Sequence, residues 1–351
     1  MLLRRKGLDE DKTEDWKTTE LGRVGLGYPR GATQREVAVS MFGTGSPPRA
    51  ILASIERRNL SAQPLDSRGQ PWLLEADDWR AVLRQLPSRR YPPAESLPHL
   101  EWLHRFLDQL AAPEVATPRP LRELGGASIA VSDGALWELL SYVPGRPLGY
   151  DPRVPLESAG GLLASLHLAS REVPTPEQRP GALPLEDCWP ASPGALTSQF
   201  QRDLEDLDQA SVDWCVLHAD CTAANMLVSG DPPTTTGVID FTLAQLGPPE
   251  ADISFALWVT GRTAQPQRRL DYARVRAFVS GYHRVRPLTA WAARAIPVYL
   301  VGRGMQLLTR IERGGGSDEV QLERVRWLHA HRAELQDLVS GVVGTPTATA
   351  T

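Results

Sequence analysis

Within the segment VLHADCTAANMLVSGDPPTTTGVIDFTLAQLGPPEAD, His218-x-Asp220-x4-Asn225 is followed by Ile239-Asp240-Phe241. Two carboxylates and one carboxamide are thereby set at the ends of short apolar runs, where loops would carry them. The asparagine gives the pattern weight, because the chain holds only Asn59 and Asn225. Phosphoryl transfer calls for such a set: a carboxylate to orient and deprotonate a hydroxyl, and hard oxygen ligands for a Mg²⁺ ion that bridges the phosphates of ATP. Asp220 suits the first task; Asn225 and Asp240 suit the second. The short step from Asp220 to Asn225 lets one loop turn back so that base and ligand face the same group, while Asp240 arrives from a neighbouring hairpin. The competing reading, a solvated loop whose Asp and Asn side chains cap turns, accounts poorly for the joint spacing.

The elements that must hold these loops can be read around them. CVLHA, NMLVS and GVIDF are short strand candidates. GGLLASLHLAS, LTSQFQRDLEDLDQA and three periodic segments between about 267 and 342 read as helices. In the first of these helices His167 lies on the apolar face, as a core histidine would. Upstream, Ile51 to Arg58 is a short apolar-periodic piece, and PWLLEA, the Asp77-Asp78 turn and WRAVLRQL form a hairpin pattern. Leu100, Leu103, Phe106, Leu107 and Leu110 predict a helix over 97–110, closed by Ala112-Pro113. SIAVS and ALWELLSY, joined by Asp133-Gly134, predict a second hairpin. Val143-Pro144-Gly145-Arg146-Pro147 then interrupts the pattern, and helices dominate beyond it. The expected division is a disordered lead-in over 1–50, a sheet-plus-helix lobe over 51–142, a mostly helical lobe over 143–342 and a tail over 343–351.

These motifs resemble the aminoglycoside phosphotransferase and choline kinase-like family of small-molecule kinases, over roughly residues 60 to 310. The family pattern His-Gly-Asp-x4-Asn, Ile-Asp-Phe/Trp, Gly and a further Asp falls on His218, Asp220, Asn225, Ile239-Asp240-Phe241, Gly247 and Asp252. The resemblance implies an α+β, bilobal protein-kinase-like fold with a small antiparallel-sheet lobe and a larger helical one. It implies ATP and Mg²⁺ as cofactors and a small-molecule hydroxyl as acceptor. Asp220 would be the catalytic base, with His218 shaping its loop. Asn225 and Asp240 would be the metal ligands, and Asp252 a brace for the loop. Arg84 would offer a cation to the phosphates, paired with Glu101 or, in competition, Glu95. Backbone groups near Ser141 and Val143 would hold the adenine edge, and Ser67 to Gln70, with Gly69, would form the turn covering the phosphates.

Two residues depart from the pattern. Ala219 stands where glycine is usual, and Arg84 where lysine is usual. They keep a catalytically silent nucleotide-binding relative open as an alternative, beside a kinase acting on protein serine or threonine. An arginine at this strand can still grip a phosphate bidentately and keeps its charge. Lysine is also absent from the chain beyond Lys17, which excludes a Walker-type Gly-Lys-Ser/Thr loop in its body.

The acceptor is less legible. From residue 261 onward fourteen arginines face seven acidic residues, a balance that disfavours a polycationic acceptor if that charge lines the cleft. The acidic run Asp203, Glu205, Asp206 and Asp208 offers a local cation site instead.

At 351 residues, 42% hydrophobic, the chain can bury a large core, and its net charge of −4 gives no general attraction to nucleic acid. No apolar stretch reaches membrane-spanning length, and the start, MLLRRKGLDEDKTEDWK, turns charged after two leucines. Cys188, Cys215 and Cys221 lack the spacing of a disulfide framework or a zinc site. The expectation is a cytoplasmic protein with no nucleic-acid or membrane partner.

Overall fold

The computed structural model describes residues 47–65, 71–86, 93–149, 151, 153–174, 195–207, 213–262, 269–313 and 318–344. A short helix α1 (Arg49–Ala53) precedes the strands β1 (Ser61–Pro64), β2 (Trp72–Ala76) and β3 (Trp79–Leu86), followed by α2 (Pro93–Gln109), β4 (Ile129–Ser132) and β5 (Ala135–Ser141). The five strands form one antiparallel sheet in the order β1-β2-β3-β5-β4. Both expected hairpins are present. The β4–β5 turn puts Asp133 at φ 52° and Gly134 at φ 70°, the paired positive values that a two-residue turn needs to match strand twist.

One side of the sheet packs Trp72, Leu74, Leu83, Trp137 and Leu139 against Ile51 and Ile55. Helix α2 presents Leu100, Leu103, Phe106, Leu107 and Leu110, all buried, to a second and larger core that also takes in Leu86 and Leu136 of the sheet. Each such side chain contributes about 1.5–3 kcal/mol on burial, so α2 is anchored by its apolar stripe and holds the sheet to the helical part.

Next come β6 (Arg146–Pro147), α3 (Leu156–Arg171), α4 (Ala195–Glu205), β7 (Cys215–Leu217), β8 (Met226–Ser229), β9 (Thr234–Val238), β10 (Gln245–Gly247) and α5 (Pro249–Thr260). The remaining helices are α6 (Tyr272–Val285), α7 (Ala290–Arg313), α8 (Glu319–Ala330) and α9 (Arg332–Val343). Where the periodicity suggested three segments after residue 267, the described residues form four helices, because the chain breaks at His331. That residue's ring nitrogen lies 2.8 Å from the Trp327 carbonyl oxygen, and no glycine or proline announces the break.

β7 pairs with β10, and β8 lies between β6 and β9. The loop after β7, the start of β8 and the end of β9 therefore converge. Beneath them α3 and α6 cross with backbones in contact. A Cβ on Gly160 would sit 1.9 Å from the Phe278 carbonyl oxygen, and one on Gly281 would sit 2.0 Å from that of Glu157. Only glycine admits this approach. Among the described residues no helix is long and apolar enough to cross a membrane.

Candidate active site

The loop from His218 to Asn225 leaves β7 and enters β8. Asp220 and Asn225 face each other across it: the Asn225 amide nitrogen donates to the Asp220 backbone oxygen at 2.8 Å and to its Oδ2 at 3.2 Å. With that nitrogen committed, the amide oxygen of Asn225 is the atom left for a cation. The Ile239 amide donates to the Asn225 carbonyl oxygen at 2.9 Å, which ties the end of β9, and so Asp240, to the same loop.

His218 is completely buried. Its Nε2 donates to the Ile239 carbonyl oxygen at 2.9 Å, its Nδ1 accepts from the Asp220 amide at 3.2 Å, and its ring tilts against Phe241 at 4.6 Å. It joins the two loops and sends no nitrogen toward the open side of the site.

Asp252, in the first turn of α5, sits under this loop with no exposure at all. Its Oδ2 accepts from the His218 amide at 2.7 Å, and its Oδ1 from the Ala219 amide at 2.9 Å. His167, equally buried, donates from Nε2 to Asp252 at 3.0 Å, while its Nδ1 accepts from the Tyr282 hydroxyl at 2.8 Å. Burial pushes the His167 pKa down despite the carboxylate beside it. Burial alone would raise the Asp252 carboxyl, but the hydrogen bond from His167, with the His218 amide, brings it below the usual range. The pair is therefore neutral imidazole and carboxylate.

Both groups have folded pKa values below their unfolded ones, so both stabilise the protein above the unfolded values, and that stability is lost as pH falls. The loss is expected to begin as pH drops below about 6.5, where an unfolded histidine takes up a proton that folded His167 resists, and to continue below about 4 through Asp252. Urea midpoints at pH 7 and pH 5 check this: the drop between them should be smaller in His167→Gln than in the wild type. An equal drop would contradict the assignment.

Ala219 adopts the left-handed conformation, φ 61°, that the glycine usual at this place would take freely. The substitution has kept the loop's shape at the expense of strain, which for a non-glycine residue is about 1–2 kcal/mol. Ala219→Gly is expected to raise stability by roughly 0.5–1 kcal/mol after the greater chain entropy of glycine is deducted, read as a melting temperature about 1–3 °C higher. A lower melting temperature would mean that the Ala219 methyl contributes more by packing than its backbone costs.

Asp240 follows β9, also left-handed at φ 67°. Its Oδ1 accepts from Arg84 Nη1 at 2.6 Å and from the Thr242 hydroxyl at 2.6 Å, which leaves Oδ2, on a side chain 41% exposed, for a cation. Burial alone would raise this carboxyl; the Arg84 charge and the two hydrogen bonds hold it well below the usual range, ionised at any working pH. The Asp220 carboxyl goes the other way. Burial raises it, the Arg303 charge opposes this, and the charge of Asp240 adds to it. Two carboxylates in one site thus differ in proton affinity, the more basic being the one a hydroxyl could use.

Arg84, in β3, forks between the sheet and this loop. Nε donates to Glu138 Oε1 at 2.6 Å, Nη1 reaches Asp240, and Nη2 donates to Thr242 at 2.7 Å while also pairing with Glu138. The expected partner was Glu101. That residue is exposed on α2, and Arg84 instead meets the carboxylate directly across the sheet, in the register Arg84↔Glu138. An acid directly opposite on the adjacent strand is within immediate reach of the guanidinium. The Glu95 side chain lies outside the described residues, as do Ser67 and Gly69.

At the end of β5, the Ser141 amide donates to the Arg119 carbonyl oxygen at 2.7 Å, and Ser141 Oγ accepts from the Arg119 amide at 2.8 Å. These contacts engage the Ser141 amide hydrogen and one lone pair of its hydroxyl; Val143 follows, buried. Cys221 is fully buried, and burial pushes its thiol well above the ordinary value, against a nucleophilic role.

Glu138, Thr242 and Arg303 were not singled out from the sequence. For Glu138 a signal existed, a lone charge inside the apolar run ALWELLSY; for the others there was none. Among the described residues no three His, Cys, Asp or Glu side chains cluster to hold a metal unaided. The donor set, one aspartate oxygen and one amide oxygen, fits Mg²⁺ bound jointly with substrate phosphates and does not fit a self-sufficient protein cage.

A small antiparallel sheet with one helix, a larger helical part, and an Asp–Asn loop facing a second aspartate between them define a protein-kinase-like phosphotransferase. The chain belongs to the phosphotransferase enzyme family, which matches residues 61–288. It is similar to homoserine kinase of Rhodopseudomonas palustris strain BisA53, 28% identical over 236 residues, 62% of this chain and 68% of the relative. It is also similar to homoserine kinase of Methylobacillus glycogenes, 30% identical over 220 residues, 59% and 67% of the two chains. Among solved structures, a microcompartment-associated aminopropanol kinase superposes with a TM-score of 0.58 at 19% identity, covering 83% of this chain and 96% of that one. Choline kinase from Streptococcus pneumoniae does so with 0.52 at 12%, covering 81% and 96%. These last two show the shared fold. The protein is a small-molecule phosphotransferase.

Proposed function

We propose that the protein transfers the γ-phosphoryl group of ATP to a hydroxyl of a small molecule, with Asp220 as the general base and Asn225 and Asp240 as ligands of Mg²⁺. The observation that carries this is the pairing of Asp220 with Asn225 on one loop, opposite an Asp240 whose second oxygen is open. Asp220 Oδ2 accepts from Asn225, so Oδ1 is the atom that would orient the acceptor hydroxyl and receive its proton. Arg84 would present its guanidinium to the phosphates and hold them in line. His218 and Asp252 fix the loop so that the base need not reorganise. A bound Mg²⁺ would supply neutralisation of the phosphate charge.

The relatives' substrates set where to look for the acceptor: homoserine first, then aminopropanol and choline. A screen of small hydroxyl compounds for ADP release dependent on both acceptor and Mg²⁺ tests the proposal. ATP binding without turnover on any of them, in a screen that includes amino acids, amino alcohols and sugars, would favour a silent nucleotide-binding protein.

A further inference from the structure

Arg84 has its counter-charge on the sheet, and the chain extends that contact back to the helix by an unusual route. Glu138 is 1% exposed, and its two oxygens have different partners. Oε1 takes Arg84 Nε; Oε2 lies 3.0 Å from Nε2 of His104, which α2 carries into the interior at 4% exposure. The other ring nitrogen of His104 lies 2.8 Å from the hydroxyl of Ser128, just ahead of β4. An unbroken file of polar contacts thus runs Ser128, His104, Glu138, Arg84, Asp240. The Glu138 carboxylate only accepts, so His104 donates to it from Nε2.

Buried charge of this kind is poor value for stability, since apolar side chains of equal size would pack the same space without desolvation. It does fix direction. A carboxylate held at both oxygens cannot rotate, so the edge of the guanidinium facing it is pinned, and the opposite edge is aimed at Asp240 and Thr242, where phosphates would enter. Without His104, Oε2 would be a buried unsatisfied acceptor, and Glu138 would turn to share both oxygens with Arg84 or to seek water.

We propose that His104 is a positioning residue for nucleotide binding. It links α2 to the phosphate-directed arginine through the strand carboxylate Glu138. The inference rests on the phosphotransferase reading of the site and adds to it which residues set the aim of Arg84.

Titration of Mg·ATP into the wild type, His104→Leu and His104→Gln, with melting curves of each, tests it. Gln carries an amide N–H close to the place of the imidazole Nε2; Leu fills the space and donates nothing. The expected result is a Kd for Mg·ATP about tenfold higher in His104→Leu, some 1.4 kcal/mol, with His104→Gln within about threefold of the wild type. If His104 only packs, Leu moves the melting temperature and leaves the Kd alone, and that result overturns the proposal; so does equal weakening by Leu and Gln. Should His104→Leu not fold, Ser128→Ala removes the far hydrogen bond from a partly exposed position. It should raise the Kd about threefold, and an unchanged value is again negative. A wild type that binds no Mg·ATP overturns the site assignment itself, which is a different failure from a binding wild type with an equally binding Leu variant.

Discussion

Asp220→Asn is expected to lower turnover by roughly 10²- to 10⁴-fold while Mg·ATP affinity stays within a few-fold of the wild type. The amide keeps the size of the side chain, and the Asp220 backbone oxygen still accepts from Asn225. What disappears is an acceptor for the hydroxyl proton, held at raised basicity by burial. Such a group contributes to the transition state and little to the ground state, so the loss should fall on kcat, with KM for ATP nearly unmoved. Single-turnover and binding measurements with any acceptor found in the screen separate the two. Normal turnover by the variant would show that the proton leaves by another route.

Asp240→Ala should give a different signature. In the wild type, Mg²⁺ is expected to strengthen ATP binding by at least about tenfold, because phosphates and protein oxygens share the ion. Removing the Asp240 carboxylate removes the one anionic ligand of the proposed metal set, so this enhancement should fall to near unity along with turnover. Metal-free ATP binding should hold or even tighten, since Arg84 loses a competing partner at Nη1. Asp220→Asn should retain the enhancement. Titrations of ATP at zero and saturating Mg²⁺ give the ratio for each protein, and an equal ratio in wild type and Asp240→Ala would sink the assignment of a metal ligand.

The sequence was most readable where a local rule acts alone. Asp133-Gly134 between two alternating runs can hardly be anything except a tight hairpin, and the apolar stripe from Leu100 to Leu110 can only be satisfied by a helix lying on a core. The phosphoryl-transfer triplet was legible for a similar reason, since a rare residue type stood at a telling spacing. Contacts that depend on which strand neighbours which were not legible. The partner of Arg84 is decided by the order β3-β5 within the sheet, and nothing near Arg84 in sequence carries that order, so the acid looked for on the following helix was found 54 positions away on a strand. The break at His331 was hidden because the apolar period runs through it. Ala219 shows a third limit: the residue type argued against a left-handed backbone, yet two hydrogen bonds from the loop to Asp252 and the surrounding packing impose one.

The clasp of Arg84 on Asp240 bears on the order in which ligands can add. The Arg84 guanidinium pairs with the very carboxylate that the proposed metal assignment would use. On that assignment free Mg²⁺ would meet a carboxylate already paired, and free ATP an arginine already engaged. A polyphosphate that drew Arg84 toward itself would free Asp240 for the metal, and a metal that took Asp240 would free Arg84 for the phosphates. By thermodynamic reciprocity each raises the affinity of the other by one and the same factor. The magnesium enhancement of ATP binding and the ATP enhancement of magnesium binding are one quantity, to which opening the clasp would contribute beside the ion shared by phosphates and protein.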